Sequence, residues 1–223
     1  MAWPAVSSGP DRLHPVIVHH IANTLGWADL RPLQEEAAGP VTSGMDALLL
    51  APTAGGKTEA ALFPLLTMME AGRWDGPSVL YLAPLKALLN NLLPRLEEYA
   101  GWLGRRAAIW HGDVTASARQ QMLRDPPDIL LTTPKSLESM LISIKVDPAR
   151  LFGSVRAVVV DEVHAFGADD RGWHLLAVLE RISRLTGRPV QRIGLSATNN
   201  CQAQSCALPR DGATNELNVL PCT

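Results

Sequence analysis

Residues 51–58 read APTAGGKT, with the apolar run LLLA ending at Ala51 and the helical pattern KTEAALFPLL starting at Lys57. Two glycines followed by a lysine and a hydroxyl suit a phosphate chain. Successive backbone N–H groups at Ala54, Gly55, Gly56 and Lys57 can converge on one phosphate, and the helix start adds its partial positive charge. Gly55 and Gly56 permit backbone angles and a close approach that a Cβ would obstruct. The pattern assigns Thr53, Ala54, Gly55, Gly56, Lys57 and Thr58 to nucleotide binding. Lys57 would reach the β- and γ-phosphates, and the Thr58 hydroxyl would reach Mg²⁺. Ala51 stands where the usual phosphate loop has its first glycine. The competing reading is a tight glycine turn followed by a chance Lys-Thr.

A second cluster, DEVH at 161–164, closes the wholly apolar run VRAVVV. A buried strand delivers its last residues to the sheet edge, where open α/β folds bind ligands. Asp161 can hold Mg²⁺ there, and Glu162 can orient and deprotonate an attacking water. Adjacent acids after a strand also serve as helix caps. The phosphate loop on an earlier strand favours the catalytic reading for Glu162, Asp161 and Lys57 together. His164 is given no acid–base work.

These groups need a scaffold, and the rest of the chain supplies a repeating one. Apolar runs at 46–51, 78–83, 107–111, 128–133, 155–160 and 190–197 alternate with helical patterns. That rhythm predicts βαβ units and a mostly parallel sheet with helices on both faces. Residues 13–25 predict a short amphipathic helix, with Pro15 in its first turn and Gly26 as its stop. The expected organisation is an N-terminal extension over 1–25, an α/β domain over 26–198 and an irregular tail over 199–223.

The chain has 223 residues, enough to bury a substantial core. Its net charge of −2 advertises no overall basic field, although such a sum can hide a local basic strip. No apolar run approaches the roughly 18–20 residues that span a bilayer, and the first 20 residues lack an export-signal pattern. Three cysteines, Cys201, Cys206 and Cys222, sit in the tail at no zinc spacing. A cytoplasmic protein is expected.

With DEVH beside APTAGGKT, the chain resembles superfamily 2 helicases of the DEAD/DEAH type. RPLQ, PLKAL, TTP-x-SL, DEVHAF and RIGLSAT, in this order, most resemble the Lhr-type (large helicase-related) members. The resemblance covers about residues 13–198 and implies a RecA-like P-loop domain that binds ATP and Mg²⁺ (the latter at Thr58 and Asp161). Gln34 in LRPLQEEA would read the adenine. Pro84, Lys86, Arg95, Gly112, Thr133 and Pro134 would contact a DNA or RNA strand, and Ser196 and Thr198 in GLSAT would couple hydrolysis to strand movement. For Lys86 and Arg95 a solvated helix face is the competing reading. Lys135 stands where family members usually carry an acid. Trp27 could stack near the adenine, with a core position the better expectation.

The resemblance also implies a second RecA-like domain, for which the 25 residues after Thr198 leave no room. The chain by itself is therefore expected to bind Mg-nucleotide weakly, hydrolyse it poorly and unwind nothing. A partner carrying the second domain would complete it in trans. The alternative is a non-enzymatic nucleotide- or strand-binding module. A phosphate-loop ATPase unrelated to nucleic acid is disfavoured by PLKAL, TTP-x-SL and LSAT together.

Overall fold

The structure is a computed structural model and describes residues 12–167, 170–197 and 218–220. Six strands follow the six apolar runs: β1 (Ala47–Leu50), β2 (Val79–Leu82), β3 (Ala107–Trp110), β4 (Ile129–Thr132), β5 (Ala157–Val160) and β6 (Gln191–Ser196). A seventh, β7 (Asn218–Leu220), lies inside the segment expected to be irregular and pairs with β1. The sheet order is β3-β4-β2-β5-β6-β1-β7, and every pairing is parallel.

Parallel strands need crossovers, and the helical patterns provide them. The helices are α1 (Pro15–Asn23), α2 (Pro32–Thr42), α3 (Lys57–Ala71), α4 (Lys86–Gly101), α5 (Ala116–Arg124), α6 (Pro134–Ile142), α7 (Pro148–Phe152) and α8 (Asp170–Thr186), with a 3₁₀ turn at Val163–Phe166. Alternate strand residues feed two separate cores. Leu49, Val79, Tyr81, Leu131 and Val159 pack under α1–α4, whereas Leu48, Leu80, Leu82, Val158 and Val160 pack under α5–α8. Covering both faces explains why the strands are apolar throughout rather than alternating.

Helix α1, expected within an N-terminal extension, buries Ile17 and Ile21 in the first of these cores. Gly26 behind it takes a φ of +67°, a conformation that favours glycine. Trp27 packs against the same core beside Phe63, so it serves as packing. Among the described residues no helix is long and apolar enough to cross a membrane. The three cysteines lie outside the described residues.

Candidate nucleotide and strand site

Because all strands run the same way, every motif loop leaves the sheet at one edge, the C-terminal one. Read across the sheet order, the loops after β3, β4 and β2 carry HGD, TTP and PLK; those after β5, β6 and β1 carry DEVH, SAT and the phosphate loop. The expected strand contacts thus occupy one half of the edge and the expected nucleotide contacts the other. The halves meet where β2 pairs with β5.

In the nucleotide half, Gly56 precedes α3 with a φ of +78° and Ala54 takes +64°, so the loop doubles back on itself. A Cβ on Gly55 would lie 2.6 Å from the Ala51 Cβ and 2.9 Å from the Pro52 carbonyl. One on Gly56 would lie 2.4 Å from Gln34 Nε2. At both positions the loop packs too closely on neighbouring protein atoms to admit a side chain. Lys57 opens α3, is almost wholly buried, and donates from Nζ to the carbonyls of Ala51 (2.7 Å) and Pro52 (3.0 Å). Thr53 and Ala54 form the exposed crest of the loop.

Gln34 sits on α2, 2% exposed, and its amide ties that helix to the loop. Nε2 donates to the Gly56 carbonyl at 3.3 Å, while Oε1 accepts from the Arg31 N–H at 3.0 Å. The Arg31 guanidinium also donates to the Ala54 carbonyl. Arg31 was not singled out in the sequence, although its place beside the RPLQ turn is the signal that could have found it.

Asp161 follows β5, held by its own N–H to the Leu82 carbonyl at 2.7 Å. Its Oδ1 accepts from the Glu162 N–H at 2.9 Å, and its Oδ2 accepts from the Tyr81 hydroxyl at 2.8 Å. Glu162 takes left-handed angles, φ +50° and ψ +48°, a strained choice for a residue other than glycine and common at functional sites. Its carboxylate lies 3.3 Å from His164 Nδ1, which is also 3.2 Å from the Ser196 hydroxyl. His164 therefore joins the DEVH and SAT loops. It is a structural link that sequence reasoning left unassigned. The start of the phosphate loop joins in through the Ala51 N–H, which donates to the Ser196 carbonyl at 3.2 Å.

The oxygens of Thr58 and Asp161 fit a hard cation such as Mg²⁺. Among the described residues no group of three or more His, Cys, Asp or Glu could hold a metal by itself.

Arg95, expected among the strand contacts, reaches the first turn of α3 beside the phosphate loop. Its guanidinium donates to Thr58 Oγ1 at 3.1 Å and lies 3.4 Å from Glu59 Oε1. Glu59, 5% exposed, accepts a second bond from the Tyr99 hydroxyl at 3.0 Å. Burial, then the Glu59 charge, pushes the Tyr99 phenol well above its usual pKa, so it stays a donor.

In the strand half, Lys86 opens α4 two residues after Pro84 and pairs with Asp113 at 2.8 Å beside Gly112. The bond from Lys86 holds the Asp113 carboxyl below its usual pKa. Buried His111 accepts from the Asp113 N–H on Nδ1 (3.3 Å) and reaches Asn90 Oδ1 through Nε2 (3.0 Å), pinning HGD to α4. Arg119, unremarked in the sequence, donates to the His111 and Gly112 carbonyls. Thr133 caps α6, accepting from the Ser136 N–H at 3.2 Å, and Pro134 is the first, buried residue of that helix. Ser196 is fully buried at the end of β6; Thr198 lies outside the described residues.

Comparison with known proteins agrees with this geometry. The sequence pattern of the DEAD/DEAH box helicase family matches residues 31–205. The "Lhr helicase/ probable uracil glycosylase" of Mycolicibacterium smegmatis is 38% identical over 190 residues, covering 78% of this chain and 12% of that protein. The "ATP-dependent helicase Lhr-Core" of Methanothermobacter thermautotrophicus is 36% identical over 202 residues, covering 83% of this chain and 23% of that one. Among solved structures, Mycobacterium smegmatis Lhr bound to ssDNA and AMP-PNP superposes with a TM-score of 0.73 at 36% identity, over 88% of this chain and 26% of that one. The chain thus spans between about an eighth and a quarter of the length of these relatives.

Proposed function

The chain belongs to the DEAD/DEAH box helicase family, and from that premise we propose that it is an ATP-binding motor domain working on a nucleic-acid strand. In this reading Gln34 recognises the adenine. The loop from Thr53 to Thr58 receives the phosphates, with Lys57 exchanging its bonds to the Ala51 and Pro52 carbonyls for phosphate oxygens. Thr58 and Asp161 would hold Mg²⁺, which would supply positive charge to offset that developing on the phosphates. Glu162 orients the attacking water and takes its proton. His164 and Ser196 pass the state of that carboxylate to the SAT strand.

The other half of the edge carries the strand, DNA or RNA. Lys86 supplies charge to its backbone, and Pro84, Gly112, Thr133 and Pro134 line its course. A single observation carries the proposal: parallel topology sets six motif loops along one edge, with the strand half and the nucleotide half meeting between β2 and β5.

The finer part of the proposal concerns turnover. A second RecA-like domain, supplied in trans, would add the opposite wall and an arginine finger, which contributes about 10³–10⁵ in comparable enzymes. Assayed by itself, the 223-residue chain should bind Mg-ATP and a labelled single strand yet hydrolyse ATP slowly and unwind nothing. Robust strand-stimulated hydrolysis by the pure chain would refute the slow-turnover part. Failure to bind either ligand would refute the whole.

A further inference from the structure

Tyr81 is the largest fully buried side chain among the described residues and the one polar group in β2, where its neighbours are Val79, Leu80 and Leu82. A strand that only needed to fill this core would be served by leucine or phenylalanine. The hydroxyl donates to Asp161 Oδ2 at 2.8 Å. Arg95 donates to Thr58 Oγ1. The phenol therefore touches one of the two side chains assigned to the cation, and Arg95 the other. Those two come from separate places: Thr58 from the first turn of α3 behind β1, Asp161 from the end of β5 across β6.

Both carboxylate oxygens of Asp161 are thus oriented, Oδ2 by the phenol and Oδ1 by the Glu162 N–H at 2.9 Å.

We infer that Tyr81 is a positioning residue of the cation site, orienting the Asp161 carboxylate for Mg²⁺ bound with a nucleoside triphosphate. The inference rests on the functional reading above. Groups that orient metal-holding side chains typically contribute 10- to 100-fold in metal affinity or activity. Tyr81→Phe keeps the ring in the core and removes one oxygen.

The test titrates Mg²⁺ into chain plus AMP-PNP and follows the melting midpoint, with the EDTA melt as reference. For Tyr81→Phe the half-saturating Mg²⁺ concentration should rise about tenfold or more, while AMP-PNP affinity in EDTA stays within about twofold of the parent's. Tyr81→Met, a second hydroxyl-free filling of the same space, carries the test if the phenylalanine variant melts without cooperativity. A lower EDTA melt with an unchanged Mg²⁺ midpoint would mean that the phenol serves only the core, and would overturn the inference. A parent chain with no Mg²⁺-dependent rise would bring down the functional reading and this inference with it. A parent rise matched by the variant would bring down the inference alone.

Discussion

The guanidinium of Arg95 donates to the Thr58 hydroxyl at 3.1 Å, so the helix that opens with Lys86 in the strand half also closes on the phosphate loop. The two residues stand nine apart on α4, roughly 13 Å along its axis. One rigid element thus carries a side chain into each half of the site. Arg95 also reaches the buried carboxylate of Glu59, whose other partner is the Tyr99 hydroxyl.

Arg95→Ala should therefore act on the nucleotide half. It leaves Glu59 buried with one fewer partner, and it should lower stability by about 1–2 kcal/mol, less than for a fully buried pair because Arg95 is half exposed. Strand affinity and its salt dependence should stay within about twofold of the parent's. Arg95→Lys should not restore the parent's behaviour, since a single ammonium cannot span Thr58 and Glu59 as the fork does. A loss of strand affinity with an unaltered melt would return Arg95 to the strand.

Lys86→Ala should do the opposite. Losing one phosphate contact should weaken binding to all strand sequences alike and reduce the slope of log affinity against log salt by about 1. Fluorescence anisotropy of a labelled single strand across salt concentrations measures both. An unchanged slope would make Lys86 a solvated helix residue.

Asp113 competes with a strand phosphate for Lys86. Asp113→Asn should tighten strand binding by about two- to fivefold, the range that exposed ion pairs span. The Lys86 bond lowers the Asp113 pKa, so the pair persists above that value and is lost only as pH falls through it. The gain from the substitution should therefore be the same at pH 6 and pH 8. Weaker strand binding by Asp113→Asn would show that the carboxylate positions Lys86 for the strand rather than occupying it.

Glu162→Gln keeps the shape of the side chain and removes the base. Single-turnover hydrolysis should fall by about 10²-fold or more, with Mg-AMP-PNP binding retained. Equal loss of binding would mean that the left-handed backbone at this residue, not its carboxylate, had been disturbed.

Much of this was legible in the sequence because it rests on local pattern. Six apolar runs gave six of the sheet's seven strands, and APTAGGKT announced the loop between β1 and α3. What escaped reading depends on sheet order. The helicase resemblance points Arg95 at the strand; its bond to Thr58 is visible only once the fold brings α4 to the start of α3. Tyr81 looked like one more apolar residue of β2, since its hydroxyl matters only once β5 lies alongside and delivers Asp161. His164 stayed unassigned for the same reason, its partner Ser196 being 32 residues away on β6. Strand β7 is three residues long within a segment of no clear period, too short to signal itself.

The most direct test of the account is the melting midpoint of the chain with and without millimolar Mg-AMP-PNP, with Lys57→Ala measured alongside. Ligand at ten times its Kd stabilises the folded state by about 1.4 kcal/mol, a rise of roughly 3–6 °C for a domain of this size. The account predicts that rise in the parent and its absence in Lys57→Ala, whose own melt should remain cooperative. An equal rise in both, or none in the parent at saturating ligand, would contradict it.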